Sequence, residues 1–262
     1  MKKILYVFLI SCFSFTIFSC AKKDGSSDTS TSFWPKQIGT SSNDYGTGVT
    51  VEFSDNIHVS GQSNGGLDGN INSLNDGIFL VKYNSSGTKL WTKQLGIFDN
   101  ESGISMTVDS SDNIYVTGYT TEGYDGNSNS GNYDIFLVKY NSSGNKLWTK
   151  QLGNSDTDIG MGVTVDSSDN IYVTGIASGG LDSNTSSGGE DIVLMKYNSS
   201  GIKQWRKQLG SSSSDFAWDV TVDSSDNIYV TGFINGSLDG QFNQESNYDI
   251  FLVKYNSDGV KQ

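Results

Sequence analysis

The chain has 262 residues, with one proline, two cysteines, one histidine, 31 glycines and a formal net charge of −12. That much glycine beside 12% aromatic and only 18% charged residues predicts β-structure with many turns, not a helix-rich α/β enzyme. A single histidine excludes most His-dependent chemistry, including Ser-His-Asp triads, metzincin-type zinc sites and facial iron triads.

Taken in chain order, residues 1–19 read as an export signal. Lys2 and Lys3 form a basic n-region, and Ile4 to Phe18 is a mostly apolar stretch shorter than the ~20 residues a membrane span needs. It ends at Ile17-Phe18-Ser19-Cys20, which resembles a bacterial lipoprotein lipobox with Cys20 as the acylated residue, although Phe18 stands where a small residue is usual. Leu9-Ile10-Ser11-Cys12 matches the box better. It would leave few apolar residues before cleavage, however, and would strand Phe13 to Phe18 on the mature surface. An ordinary cleaved secretory signal is the alternative, and both readings predict export. No cysteine lies beyond residue 20, so a disulfide in the mature domain is excluded. Residues 20–32 read as the acylated cysteine and a flexible Ser/Thr/Asp-rich tether. By resemblance to known sorting rules, Ala21 in place of an aspartate favours the outer membrane. Cleavage leaves 15 basic against 29 acidic residues, a charge of −14.

Residues 33–262 are organised by a repeat. Trp34, Trp91, Trp148 and Trp205 stand 57 residues apart, and Gly61, Gly118, Gly175 and Gly232 each follow their tryptophan by 27. VDSSDNIYVTG occurs at 108–118, 165–175 and 222–232, with a looser copy at 51–61. IFLVKYNSSG at 78–87 returns at 135–144, 192–201 and 250–259 with small changes. A fixed period of this length indicates one supersecondary unit repeated four times.

Each unit reads as four short strands, which in the second lie near Ser105–Asp109, Ile114–Tyr119, Ile135–Asn141 and Lys146–Leu152. Asp112-Asn113 predicts a turn that tolerates positive φ, and Gly144 predicts a left-handed position in the next turn. Ile135 to Val138 is apolar at consecutive positions, which predicts a strand covered on both faces. The tryptophans are expected to pack between blades. These W-x-K-Q-L-G, V-D-S-S-D-N-I-Y-V-T-G and D-I-F-L-V-K-Y-N-S-S-G segments resemble SBBP repeats, the β-propeller repeats of bacterial exported proteins and lipoproteins. The resemblance implies an all-β propeller of four-stranded blades and no established catalysis. Phe33-Trp34-Pro35-Lys36-Gln37-Ile38 is an orphan copy of a fourth strand. It would close a four-blade ring by pairing with Ile250–Tyr255; otherwise the units form an arc of a larger or assembled propeller.

Two loops of each unit are expected to share one face. Asp44, Glu101, Asp158 and Asp215 lie in the first, ten residues after each tryptophan, and Asp68, Asp125, Asp182 and Asp239 lie in the second, beside Glu122, Glu190 and Glu245. This predicts a negative face for a cation or basic partner, with calcium the preferred metal for hard oxygen ligands. The competing expectation is that these carboxylates bond loop amides. The DSSDN segments fail as EF-hands, because Ile114 replaces the glycine and Thr120 the final glutamate, and they read as turns. His58 stands in the place of Tyr115, Tyr172 and Tyr229, which makes it a packing variant. Tyr124 and Trp218 are candidate loop contacts for glycan or protein. An acidic chain of pI about 4.3 would repel nucleic acid.

The expected function is therefore a lipid-anchored binding or scaffold module of the bacterial cell envelope, in the outer membrane and facing the periplasm or the surface. It is not expected to be an enzyme or to hold a cofactor other than calcium; its expected partners are the membrane through Cys20, an unidentified protein or glycan, and further copies of itself. The alternatives are a calcium-assisted hydrolase or lyase, and a fragment of a longer repeat protein.

Overall fold

The computed structural model describes residues 34–69, 77–95, 102–123, 126–181, 186–238 and 247–262. Cys20, Glu101, Asp125, Asp182, Asp239, Tyr124 and Glu245, with the segments expected to be signal (1–19) and tether (20–32), lie outside the described residues. Blade 1 contains β1 (Asp44–Val51), β2 (Ile57–Ser63), β3 (Gly77–Tyr83) and β4 (Lys89–Leu95). Blade 2 contains β5 (Ser102–Val108), β6 (Ile114–Thr120), β7 (Asp134–Tyr140) and β8 (Lys146–Leu152). Blade 3 contains β9 (Asp158–Val165), β10 (Ile171–Ser178), β11 (Glu190–Tyr197) and β12 (Lys203–Leu209), and blade 4 β13 (Asp215–Val222), β14 (Ile228–Ile234) and β15 (Asp249–Tyr255). Every blade is an antiparallel meander in chain order, four-stranded in the first three and three-stranded in the last.

The expected strands of the second unit are found, with β5 starting three residues earlier than its alternation suggested. Asp55, Asp112, Asp169 and Asp226 take positive φ, 59–63°, at the first hairpin turn, and Gly144 takes +74° at the last. β7 is buried along its whole length, as expected of a strand covered on both faces. One detail escapes the pattern of hydrophobic residues. Each innermost strand carries a one-residue bulge, at Thr47, Ile104, Met161 and Trp218. The bulge turns a carbonyl onto the glycine of the V-T-G segment: a Cβ on Gly175 would lie 2.0 Å from the Ile159 carbonyl oxygen, and one on Gly232 would lie 1.9 Å from that of Phe216. These glycines are needed for close approach of two backbones.

The core lies between blades. β1 packs on β5, β5 on β9 and β9 on β13, while Ile250 and Leu252 of β15 and Val49 and Val51 of β1 are exposed. The four blades thus form an arc and not a closed ring. Residues 34–40 are in no strand and do not pair with β15. Trp91, Trp148 and Trp205 each lie against the last turn of the next blade, at Gly144, Gly201 and Gly259, so these three pack between blades as expected, while Trp34 is exposed.

One carboxylate network recurs at the first turn of each blade, buried in the first three. Asp109 lies at the root of the β5–β6 turn. Its carboxylate accepts from Ser111 N at 2.9 Å, Asn113 N at 2.9 Å and the Tyr115 hydroxyl at 2.8 Å, with Lys139 Nζ 3.2 Å away. Burial pushes this carboxyl up, but the hydrogen bonds from Asn113, Tyr115 and Ser111 outweigh it and hold it below its ordinary range. Asp166 and Asp223 repeat these hydrogen bonds, and Lys196 lies 3.9 Å from Asp166. In blade 1 Glu52 does so, with His58 donating at 2.7 Å in place of the tyrosine and Lys82 at 2.7 Å. His58 is thus a structural partner of Glu52, in keeping with its place in the repeat.

Candidate functional site

The loops before the first strand and after the second meet at one end of the blades, as expected. Asn154 Nδ2 donates to the Ser178 carbonyl at 2.6 Å, and Ser211 Oγ to that of Asn235 at 3.1 Å. The first acidic series stands at the root of this end. Asp44 accepts from Thr40 N at 2.6 Å and from Ser63 Oγ at 2.5 Å. Asp158 accepts from Asn154 N at 2.7 Å. Asp215 accepts from Ser211 N and, at 2.9 Å, from Asn235 N. Each carboxylate takes the amide four residues upstream and fixes the preceding loop, a local Asx-type bond that this residue favours.

A second set, Asp134 and Asp191, escaped the sequence reading although it begins the D-I-F-L-V segment and its equivalents. Asp134 accepts from Ser130 N and Gln151 Nε2, both at 3.0 Å, and Asp191 from Ser187 N at 2.8 Å and Gln208 Nε2 at 3.0 Å. The glycine of K-Q-L-G runs beside these groups: a Cβ on Gly210 would lie 2.0 Å from Asp191 Oδ1 and 3.2 Å from Asp215 Oδ2. Carboxylates of adjacent blades therefore flank the connecting backbone, and the recurring signal was the glycine that both sets crowd.

The second predicted series is placed differently. Asp68, at φ +53° in the short 3₁₀ turn Leu67–Gly69, reaches β4, where it pairs with Lys89 at 2.5 Å and accepts from Thr92 Oγ1. Asp68 thus ties its loop to the blade's outer strand, while Asp44 of the same blade ties loops to the ends of β1 and β2. Hydrogen bonds from Lys89 and Thr92 hold the Asp68 carboxyl below its usual range. Trp218, expected on a loop, is the bulged residue of β13 and lies 6.2 Å from Phe233, ring to ring. Among the described residues no three His, Cys, Asp or Glu side chains are grouped to hold a metal ion, and no helix is long and apolar enough to cross a membrane.

Positions that look alike in the repeat differ in charge state. Burial raises Asp158 to about 7, assisted by the charges of Asp134 and Asp156 and opposed by the Asn154 amide and by Arg206. Its Oδ1 is buried without a hydrogen-bond partner. Asp44 is instead held low, because bonds from Ser63 and Thr40 outweigh its desolvation. For a carboxyl raised in the folded state, the stabilisation is complete below the unfolded value of 3.8 and is lost as pH rises through about 7. Asp158→Asn is therefore expected to remove a stability loss on the order of 3 kcal/mol between pH 4 and pH 7. Urea unfolding of both chains across that range measures it; parallel curves would contradict the assignment.

The family comparison agrees with this architecture. The family model described as Beta-propeller repeat matches residues 34–68, 90–125, 147–182 and 204–239. An uncharacterized WD repeat-containing protein of Acanthamoeba polyphaga mimivirus is 29% identical over 186 residues, covering 56% of this chain and 13% of that protein. Regulatory protein FlaEY of Caulobacter vibrioides is 26% identical over 163 residues, covering 56% of this chain and 17% of its own length. The chain thus spans less than a fifth of either relative. Among solved structures, a gluconolactonase from Xanthomonas campestris is similar with a TM-score of 0.42 at 11% identity, over 82% of this chain and 60% of that one. Four matches of one repeat model, in register with four meander sheets, place this chain in the SBBP β-propeller repeat family.

Proposed function

We propose that this chain is an exported, lipid-anchored β-propeller that serves as a binding or scaffold module at the bacterial cell envelope, through the loop end of its blades. The observation that carries the reading is the repeated root of that end. Asp44, Asp158 and Asp215 hold their loops by the same upstream amide bond, while the loop sequences between those roots vary. A rigid frame presenting variable loops is the usual construction of a recognition surface. The negative charge of the chain favours a cationic or basic partner, with calcium the preferred metal and Cys20 the anchor to the outer membrane. Two measurements test it. Metabolic labelling with an alkynyl fatty acid is expected to mark the chain and to be lost in Cys20→Ser; an unlabelled parent chain would overturn the anchor. Thermal unfolding with calcium is expected at a higher temperature than with chelator, and identical curves would end the calcium reading.

A second reading, a calcium-assisted hydrolase or lyase, draws on one observation: Asp158, raised to about 7, differs from its depressed counterpart Asp44, and unlike carboxyls are what acid–base chemistry requires. Asp158 is fully buried, which favours the structural role.

A further inference from the structure

The two ends of the arc are unlike and complementary. At each internal junction two side chains of a third strand meet one side chain from the first strand of the next blade. These sets are Ile78 and Leu80 with Met106, Ile135 and Leu137 with Val163, and Ile192 and Leu194 with Val220. None of the nine is more than 7% exposed. The equivalent residues at the ends are bare, with Ile250 at 88%, Leu252 at 71% and Val49 at 69%.

Polar bonds across the junctions repeat in the same direction. Phe53 N donates to Asp112, Ser110 N to Asp169 and Ser167 N to Asp226, each at 3.0 Å. Lys82, Lys139 and Lys196 donate to the carbonyls of Ser142, Ser199 and Ser257 in the following blade. At the open face of blade 4, Ser224 and Lys254 hold the donor positions. At the open face of blade 1, Asp55 holds the acceptor position in the same backbone conformation, φ 63° against 59–60° in the other blades, with the Ser85 carbonyl beside it in the repeat. Donors at one end thus match acceptors at the other.

The segment before β1 supplies the third sign. Trp34 lies 6.5 Å from Tyr83, ring to ring, and Ile38 packs on Phe79, Val81 and Tyr83. Trp148 and Leu152 take these places against blade 3, and Trp205 and Leu209 against blade 4. Residues 34–38 therefore lie on blade 1 as the outer strand of a preceding blade would, while among the described residues the outer edge of β15 is paired only at the Tyr255–Lys261 bridge. Pairing within one chain would bring Val49 against Ile250 and Leu252, and all three are exposed.

The geometry points to a head-to-tail contact between copies of this chain: blade 1 of one copy closes on blade 4 of another, and its residues 34–38 run beside β15 there as the fourth strand. Such a contact is heterologous, and two copies using both ends close an eight-bladed ring, within the ordinary range of propellers. The inference concerns the ends of the arc and is independent of the anchor and of the acidic loops. The test uses the full chain carrying Cys12→Ser and Cys20→Ser, with Asp55→Cys and Ser224→Cys added and joined by a bis-maleimide. The expected product links two chains, and the unlinked chain is expected to sediment at twice its 28.3 kDa. Leu252→Glu, at an exposed position, is expected to give a monomer with unchanged circular dichroism. A link formed within one chain, a parent chain sedimenting as a monomer, or a Leu252→Glu chain that remains a dimer would each overturn the contact.

Discussion

Replacing Asp109 by alanine is expected to lower the unfolding free energy by about 3–5 kcal/mol, seen as a lower urea midpoint with an unchanged slope. The carboxylate is buried, and its removal strands the Tyr115 hydroxyl, the Asn113 side-chain amide and the Lys139 ammonium, whose distances to it are 2.8, 2.9 and 3.2 Å. A buried charge left without its counter-charge accounts for most of that cost. Asp223 holds the same turn with the same local bonds, but it lies at the open end of the arc and is half-exposed. Asp223→Ala is expected to shift the midpoint less than Asp109→Ala. Equal shifts would mean that the turn alone, without the junction, sets the value of the network.

Gly175→Ala is the second large effect, expected to cost roughly 3 kcal/mol in the same measurement. The added methyl would lie 2.0 Å from the Ile159 carbonyl oxygen and 3.1 Å from the Gly160 Cα, so two paired strands would have to separate. Gly126→Ala is the contrast. Nothing lies within 4 Å of its Cβ position and φ is +81°, so only the left-handed conformation is charged against it, about 1 kcal/mol. If the two substitutions cost the same, close approach at the bulge is not what keeps glycine in the V-T-G segment.

Much of the architecture could be read from local pattern. The tryptophan spacing, the alternation in each strand, Asp112 and Gly144 at their turns and the consecutive apolar run of β7 all predicted what the structure shows, since a strand's burial is written in its own side chains. His58 was legible as a packing variant for the same reason, since it stands at the repeated tyrosine position, while its partner Glu52 came only from the structure. The candidate site was legible only as a list of acids. Asp44, Asp158 and Asp215 occupy one repeated place, yet Asp158 is raised and Asp44 lowered, because a carboxyl's charge state depends on neighbours that other loops bring near.

Amino-acid order by itself determined the repeat, the strands, the turns and the pairing of strands within each blade, because these depend on residues close together in the chain. Only the tertiary structure decided that Asp134 and Asp191 join the loop roots, that Asp68 turns back to β4, and that a bulge presses a carbonyl onto Gly175. It alone decided, too, that these four blades form an arc with Val49 bare at one end and Ile250 at the other. Whether a ring closes depends on the small angle added at each junction of packed side chains, a sum over the whole molecule that no single repeat contains.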